Sequence, residues 1–280
     1  MSRTFRAAAR RLRLALATLA GAKRGFFIPY RHAASVLPQG YPALEPRFEA
    51  ALPQFLDVLG AIEAYGDDLG RIAAGHGPAR FDQDWFPGLD AAAAYAIVRR
   101  ERPARIVEIG SGHSTRFLAQ AVTDCGLKTE IVCIDPQPRA GIAALPVQHV
   151  PCLLRDADPA IVAALRAGDI LFIDSSHIAM PGTDVDRLFL DVLPRLPAGV
   201  LVHVHDVFLP DPYPPEWSWR GYNEQLLVAA LIGGGACGLL WSSRWVATRR
   251  AELAPRAMLG PALVPGAYET SVWLKMLHGN

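Results

Sequence analysis

Cysteine is scarce in this chain: four thiols, Cys125, Cys133, Cys152 and Cys237, stand among 280 residues with no C-x-x-C spacing. That pattern carries neither the disulfide framework of a small secreted domain nor a zinc site of paired thiolates. A reduced, cytoplasmic protein is the expectation. Long hydrophobic runs are missing too, since none approaches the roughly 18 apolar residues of a spanning helix. No internal repeat is visible. Acidic residues are absent from residues 1–44, which hold eight bases, Arg3, Arg6, Arg10, Arg11, Arg13, Lys23, Arg24 and Arg31. The net charge of +1 therefore hides a body with 20 bases against 27 acids, a net of −7. An acidic body lacks the basic stripe that neutralises phosphates, so no nucleic-acid partner is expected.

With 51% apolar side chains the chain can bury a sizeable core. The basic arm has its own pattern. On a helix, Arg3, Arg6, Arg10 and Arg13 fall on one side and Phe5, Leu12, Leu16 and Leu19 on the other, followed by Phe26, Phe27 and Ile28. Three readings stay open: residues 1–28 lying on an anionic membrane surface, a basic helix docked on the acidic body or on a second subunit, and a signal peptide cleaved near Ala20 and Ala22. The first would place the protein peripherally at the inner membrane surface. Oligomeric state is not legible.

Past the arm, the pattern predicts helices over 47–74 and 88–100, joined by the loop GHGPARFDQDWFP. Strands follow at 105–109, 129–134, 147–153, 169–173 and 199–205, with helices over 114–122, 158–167, 184–193 and 222–232 between or after them. Two last strands lie near 238–241 and 270–276. Alternation of this kind is that of a parallel sheet covered by helices on both faces. The domain reading is an arm over 1–44, a helical cap over 45–102 and an α/β domain over 103–280.

The stretch RIVEIGSGHSTRFLAQAV, 105–122, runs an apolar strand into a Gly-x-Gly turn that opens a helix. Gly110 and Gly112 let the backbone approach a ligand, and the helix N–H groups point into the same crevice. Such a turn serves dinucleotides or S-adenosylmethionine. A dinucleotide fingerprint asks for a third Gly or Ala, where this chain has Thr115, which disfavours the NAD-dependent oxidoreductase alternative. Asp135 closes the next strand, where an acid meets ribose hydroxyls of either cofactor.

VEIGSGHST, IVCIDPQP, DILFIDSSH and GVLVHVHDVFLP, taken together and in order, resemble the class I S-adenosylmethionine-dependent methyltransferases, of the bacterial type that acts on small molecules or sugars. The resemblance runs from about Trp85 to the C-terminus. It implies a Rossmann-like, doubly wound, mostly parallel seven-stranded sheet with an antiparallel edge hairpin and an N-terminal helical extension. It also assigns S-adenosylmethionine to Gly110, Ser111, Gly112, Ser114 and Thr115 for the methionine part and to Asp135 for the ribose. Glu108 either anchors the cofactor's amino group or fixes the loop by pairing with Arg116 or Arg139. Adenine recognition is expected near Leu154 to Asp156.

Ligands of open sheets sit beyond the carboxyl ends of the strands, which here carry Asp174 to His177 and His205 with Asp206. Two carboxylates with two histidines suit acid/base work or a divalent metal held by Asp174, His177 and Asp206. Catechol O-methyltransferase-like enzymes hold a metal at these strand ends but follow the second acid with Asn, where this chain has Val207. His177 is the expected general base, oriented by Asp174 or Asp206. His203, flanked by apolar residues inside its strand, reads as a core histidine. The loop FLPDPYPPEWSWRGY, 208–222, holds four prolines and five aromatics, with Trp217, Trp219 and Arg220 as candidate acceptor contacts. O-methylation of a small-molecule, sugar or glycolipid hydroxyl is the functional expectation. A non-catalytic membrane-associated scaffold of the same fold is the alternative from another class.

Overall fold

The computed structural model describes residues 3–21, 31, 32, 35, 37–255 and 263–278, with side chains from Ala8 onward. The arm forms α1 (Arg3–Leu19); Phe5, Lys23, Arg24, Phe26, Phe27 and Ile28, named in the arm's pattern, lie outside the described residues or side chains. The helical region expected over 47–74 is built of three helices, α2 (Glu45–Ala50), α3 (Leu52–Ala64) and α4 (Gly66–Ala73). Pro53 explains the first break: it has no N–H to offer the carbonyl of Glu49, so it serves the first turn of α3 and cannot continue α2.

Helix α5 (Gly88–Glu101) is buried from Gly88 to Val98. Its run of alanines lets it lie close beneath α3 and beside α6 (His113–Asp124). Strand β1 (Arg105–Ile109) is followed by α6, β2 (Glu130–Ile134), β3 (Gln148–Val150), α7 (Ala160–Ala163), β4 (Ile170–Ile173), α8 (Asp184–Arg187), β5 (Leu201–Val204), α9 (Gln225–Gly234), β6 (Cys237–Ser242), α10 (Ser243–Arg249) and β7 (Val272–Met276). The region expected as one helix over 184–193 continues past α8 as a π-helical turn and then a 3₁₀ turn ending at Arg195. Pro194 again lacks the N–H that an α-helical bond would use.

The seven strands lie in the order β3-β2-β1-β4-β5-β7-β6. Strands β1 to β5 are mutually parallel, with Val107 level with Val132 on one side and Leu171 on the other. β7 runs antiparallel to β5 and to β6. The edge pair is not a tight hairpin, because α10 and a long segment separate its strands. Strands β4 and β5 are buried at every position, which is why ILFI and LVHV read as apolar runs with a histidine in the second. Residues of the cap helices, such as Phe48, Phe55 and Ile62, belong to the same hydrophobic core as the sheet. The order of strands reverses between β1 and β4, opening a crevice above their carboxyl ends.

Candidate active site

At the end of β1 the chain turns at Gly110, with φ of +84°. A Cβ there would stand 2.0 Å from the carbonyl oxygen of Asp174, so only glycine fits. At Gly112 a Cβ would meet nothing nearer than 3.4 Å, an ordinary contact. Crowding within the protein does not account for that glycine; it keeps the backbone bare at the head of α6, where a nucleotide-like ligand would lie.

Glu108 is fully buried beneath this turn. Its carboxylate accepts hydrogen bonds from Ser114 Oγ at 2.6 Å and Thr115 Oγ1 at 2.7 Å, and Cys133 Sγ donates from 3.3 Å. Thr115 Oγ1 also accepts the Gly112 N–H at 2.9 Å. The residue in the third-glycine place is thus a working part of the turn. Burial pushes the Glu108 carboxyl up to about 7, against the lowering effect of the two hydroxyls. Neither expected arginine reaches it: Arg116 donates to the carbonyl of Gly141, and Arg139 lies 4.5 Å over the ring of Trp85. Asp135 ties β2 to the same turn, accepting from Ser111 N at 2.7 Å and Ser111 Oγ at 2.9 Å. The donor-side residues Glu108, Gly110, Ser111, Gly112, Ser114, Thr115 and Asp135 therefore meet around one crevice.

Beside it stands a second group. His177 Nε2 lies 3.4 Å from both Asp174 Oδ1 and Asp206 Oδ2, and its Nδ1 lies 2.8 Å from Glu224 Oε2. His205 Nδ1 sits 3.4 Å from the same Asp174 oxygen and 3.6 Å from Asp206, while its Nε2 is 3.3 Å from Asp90. His177 and Asp206 both have left-handed backbones, with φ of 60° and 55°. Such a conformation costs a non-glycine residue about 1–3 kcal/mol and is kept only where the surroundings fix it. At His177 the fixing comes from the N–H groups of Asn223 and Glu224, which donate to its carbonyl at 3.1 and 3.3 Å.

Burial alone would disfavour charge throughout this group, yet the pairs overcome it. Hydrogen bonds to Asp174 and Glu224, with the charge of Asp206, hold the His177 imidazole well above its usual range. Asp206 and Asp174 do the same for His205. Asp174 is held well below the carboxylate range by His205 and His177 despite its burial. Burial pushes the Glu224 carboxyl up, and the hydrogen bond from His177 offsets part of that. His203 is fully buried, stacked 3.6 Å from the Phe172 ring with Nε2 2.8 Å from Ser271 Oγ, and burial holds it well below its usual value. Its ring is stacked 6.1 Å from that of His205.

Asp174, His177 and Asp206 converge, but as ion pairs and not as a metal-ligand set. Imidazole nitrogens occupy the space between the two carboxylates, supplying the positive charge there. Among the described residues no three His, Cys, Asp or Glu side chains are arranged to hold a metal ion. The divalent ion expected at Asp174, His177 and Asp206 does not fit this donor geometry. Two participants escaped the sequence pattern. Asp90, in the first turn of α5, accepts the N–H groups of Thr270 and Ser271 at 2.9 and 2.8 Å. Glu224 precedes α9 at the end of the aromatic loop; an acid and Gln225 heading an apolar helix was the available signal.

The 208–222 loop walls this group. Phe208, Trp217 and Tyr268 pack edge to face with centroids 5.0 to 5.8 Å apart. The Arg220 guanidinium lies 4.0 Å over Trp217, and the Tyr222 ring is 4.6 Å from that of His177. Trp85 is half exposed at the rim, whereas Phe86 is buried against Phe172 and His205.

A family model described as a methyltransferase domain matches residues 107–207, from the middle of β1 to just past β5. The match includes the glycine turn, Asp135, Asp174, His177, His205 and Asp206. Among solved structures, the S-adenosylhomocysteine-bound methyltransferase PaMTH1 of Podospora anserina is similar at 16% identity, covering 91% of this chain and 100% of that one, with a TM-score of 0.43. The O-methyltransferase TomG of Streptomyces achromogenes, involved in tomaymycin synthesis and in complex with S-adenosylmethionine, is similar at 20% identity, covering 66% and 78%, with a TM-score of 0.39. Likenesses of that strength carry no weight for activity. No curated protein matches the chain. The strand order and the crevice where it reverses are those of a Rossmann-like fold, and residues 107–207, which span that crevice, match a methyltransferase domain.

Proposed function

We propose that the protein methylates a hydroxyl oxygen of a small molecule, sugar or glycolipid, with His177 as general base. The observation that carries this reading is the placement of His177 Nε2 between Asp174 and Asp206, with Nδ1 held by Glu224 at 2.8 Å. S-adenosylmethionine supplies, when bound, an electrophilic methyl group on a positively charged sulfur. Gly110 to Thr115 and Asp135 would hold it at the carboxyl ends of β1 and β2. Methyl transfer is an in-line displacement, so positioning and exclusion of water carry much of the acceleration.

In this reading the O–CH₃ bond would form as the S–CH₃ bond breaks, its electron pair leaving with the neutral thioether, and the acceptor's O–H proton passes to Nε2 of His177. Glu224 fixes the tautomer with hydrogen on Nδ1, leaving the Nε2 lone pair toward the crevice. Asp174 and Asp206 then stabilise the imidazolium. The aromatic loop supplies an apolar wall that keeps water away.

The test is incubation with S-adenosylmethionine and a panel of hydroxylated acceptors, with products read by mass and by the position of the methyl group. The expected product is a methyl ether. His177→Ala should lower kcat by roughly 10²- to 10⁴-fold with S-adenosylhomocysteine affinity kept. Methylation at nitrogen, or full turnover by His177→Ala, would overturn the reading.

A further inference from the structure

Helix α1 is mounted with its apolar side outward. Leu12, Leu16 and Leu19 share one face at helical spacing and are 62%, 56% and 84% exposed. The other side meets the body: Leu14, Ala17 and Thr18 are half-buried, and the Arg10 guanidinium lies 5.1 Å over the ring of Trp219 in the aromatic loop. Arg11 and Arg13 flank the leucine stripe on either side, roughly a quarter turn away. A helix docked only to complete the fold would bury its leucines and expose its arginines. This one exposes three of its four leucines, in a segment of eight bases and no acid over residues 1–44.

We propose that α1 lies on an anionic lipid surface, with Leu12, Leu16 and Leu19 among the acyl chains and Arg11 and Arg13 at the headgroups. The charge of the arm selects this occupant over a second copy. Self-pairing of the stripe would crowd Arg11 and Arg13 of both copies with no acid on the arm to meet them. Three leucines also fall far short of the roughly 800 Å² per partner of a stable interface. Arg10 joins α1 to Trp219 on the side away from the stripe, so the same docking holds the aromatic loop about one helix diameter from the lipid, near enough for a lipid-borne hydroxyl to be the acceptor, a step that rests on the O-methylation reading above.

The experiment is co-sedimentation of the full chain with phosphatidylcholine vesicles, with and without phosphatidylglycerol. Sedimentation with the anionic vesicles alone is expected, weakening as salt rises. The triple variant Leu12→Ser/Leu16→Ser/Leu19→Ser should lose at least roughly tenfold in partitioning while binding S-adenosylhomocysteine as before. Equal partitioning of the variant, no sedimentation with anionic vesicles, or a change from dimer to monomer on removing the leucines would each overturn the lipid assignment. Retained cofactor affinity in those cases leaves the methyltransferase reading standing. For the loop, spin-labelled lipid should quench the bound wild type more than Trp219→Phe; equal quenching would overturn an acceptor loop within reach of the lipid.

Discussion

Glu224 Oε2 lies 2.8 Å from Nδ1 of His177, joining the start of α9 to the end of β4 across 47 residues of chain. Its other carboxylate oxygen is buried without a partner. A carboxylate kept in so apolar a place is costly, and the imidazole is what offsets the cost. Glu224→Gln keeps the shape and removes the charge. It should lower kcat by roughly tenfold and leave S-adenosylhomocysteine affinity intact. The acid limb of the pH profile should move to lower pH, because the lost charge was stabilising the imidazolium. Glu224→Asp should recover part of both effects. A uniform loss of cofactor binding would mark Glu224 as structural only.

Activity and stability should respond to pH in opposite directions. His177 is held well above its ordinary 6.5, so the neutral base becomes available only as pH rises through that raised value, and turnover should climb there. The imidazolium's contribution to folding is complete below pH 6.5 and lost as pH rises through the folded value. Asp174 contributes above its ordinary 3.8 and loses that contribution as pH falls through its depressed folded value. Urea unfolding should therefore show greatest stability between about pH 4 and 6.5, with the rate optimum on the alkaline side of that window.

Thr115→Val should injure the donor turn without changing its volume. Removing the hydroxyl leaves the Gly112 N–H unpaired and Glu108 Oε2 with only the Cys133 thiol at 3.3 Å, at about 1–3 kcal/mol. It should also raise the Glu108 carboxyl further above about 7, since the Thr115 hydroxyl lowers it. Denaturant unfolding and calorimetric titration with S-adenosylhomocysteine measure the two effects.

Dialysis against a chelator should leave both cofactor affinity and turnover unchanged, because imidazole nitrogens sit where a metal would meet Asp174 and Asp206. A loss of turnover restored by added Mg²⁺ would show that the imidazoles swing aside.

The strand ends were legible from the chain itself, because buried parallel strands are apolar runs and Asp135, Asp174 and Asp206 are the polar residues that stop them. Thr115 was legible as a departure from a dinucleotide turn, but its double hydrogen bond was not. The partners Asp90 and Glu224 come from helices 115 and 47 residues distant from the histidines they hold, and no local period encodes such a meeting. Glu108 looked in need of an arginine; two hydroxyls in the first turn of α6, six and seven residues on, serve instead. The outward set of the leucines on α1 depends on how the helix is mounted, which periodicity does not specify.

The backbone contact at Gly110 has a consequence for how this site can change. A hydrogen atom is all that fits between the donor turn and the carbonyl of Asp174. The glycine turn and the segment that carries Asp174 and His177 are therefore packed backbone to backbone, and neither can shift without the other. Divergence toward other acceptors has to be written in the wall, residues 208–222, while the centre it encloses stays as it is.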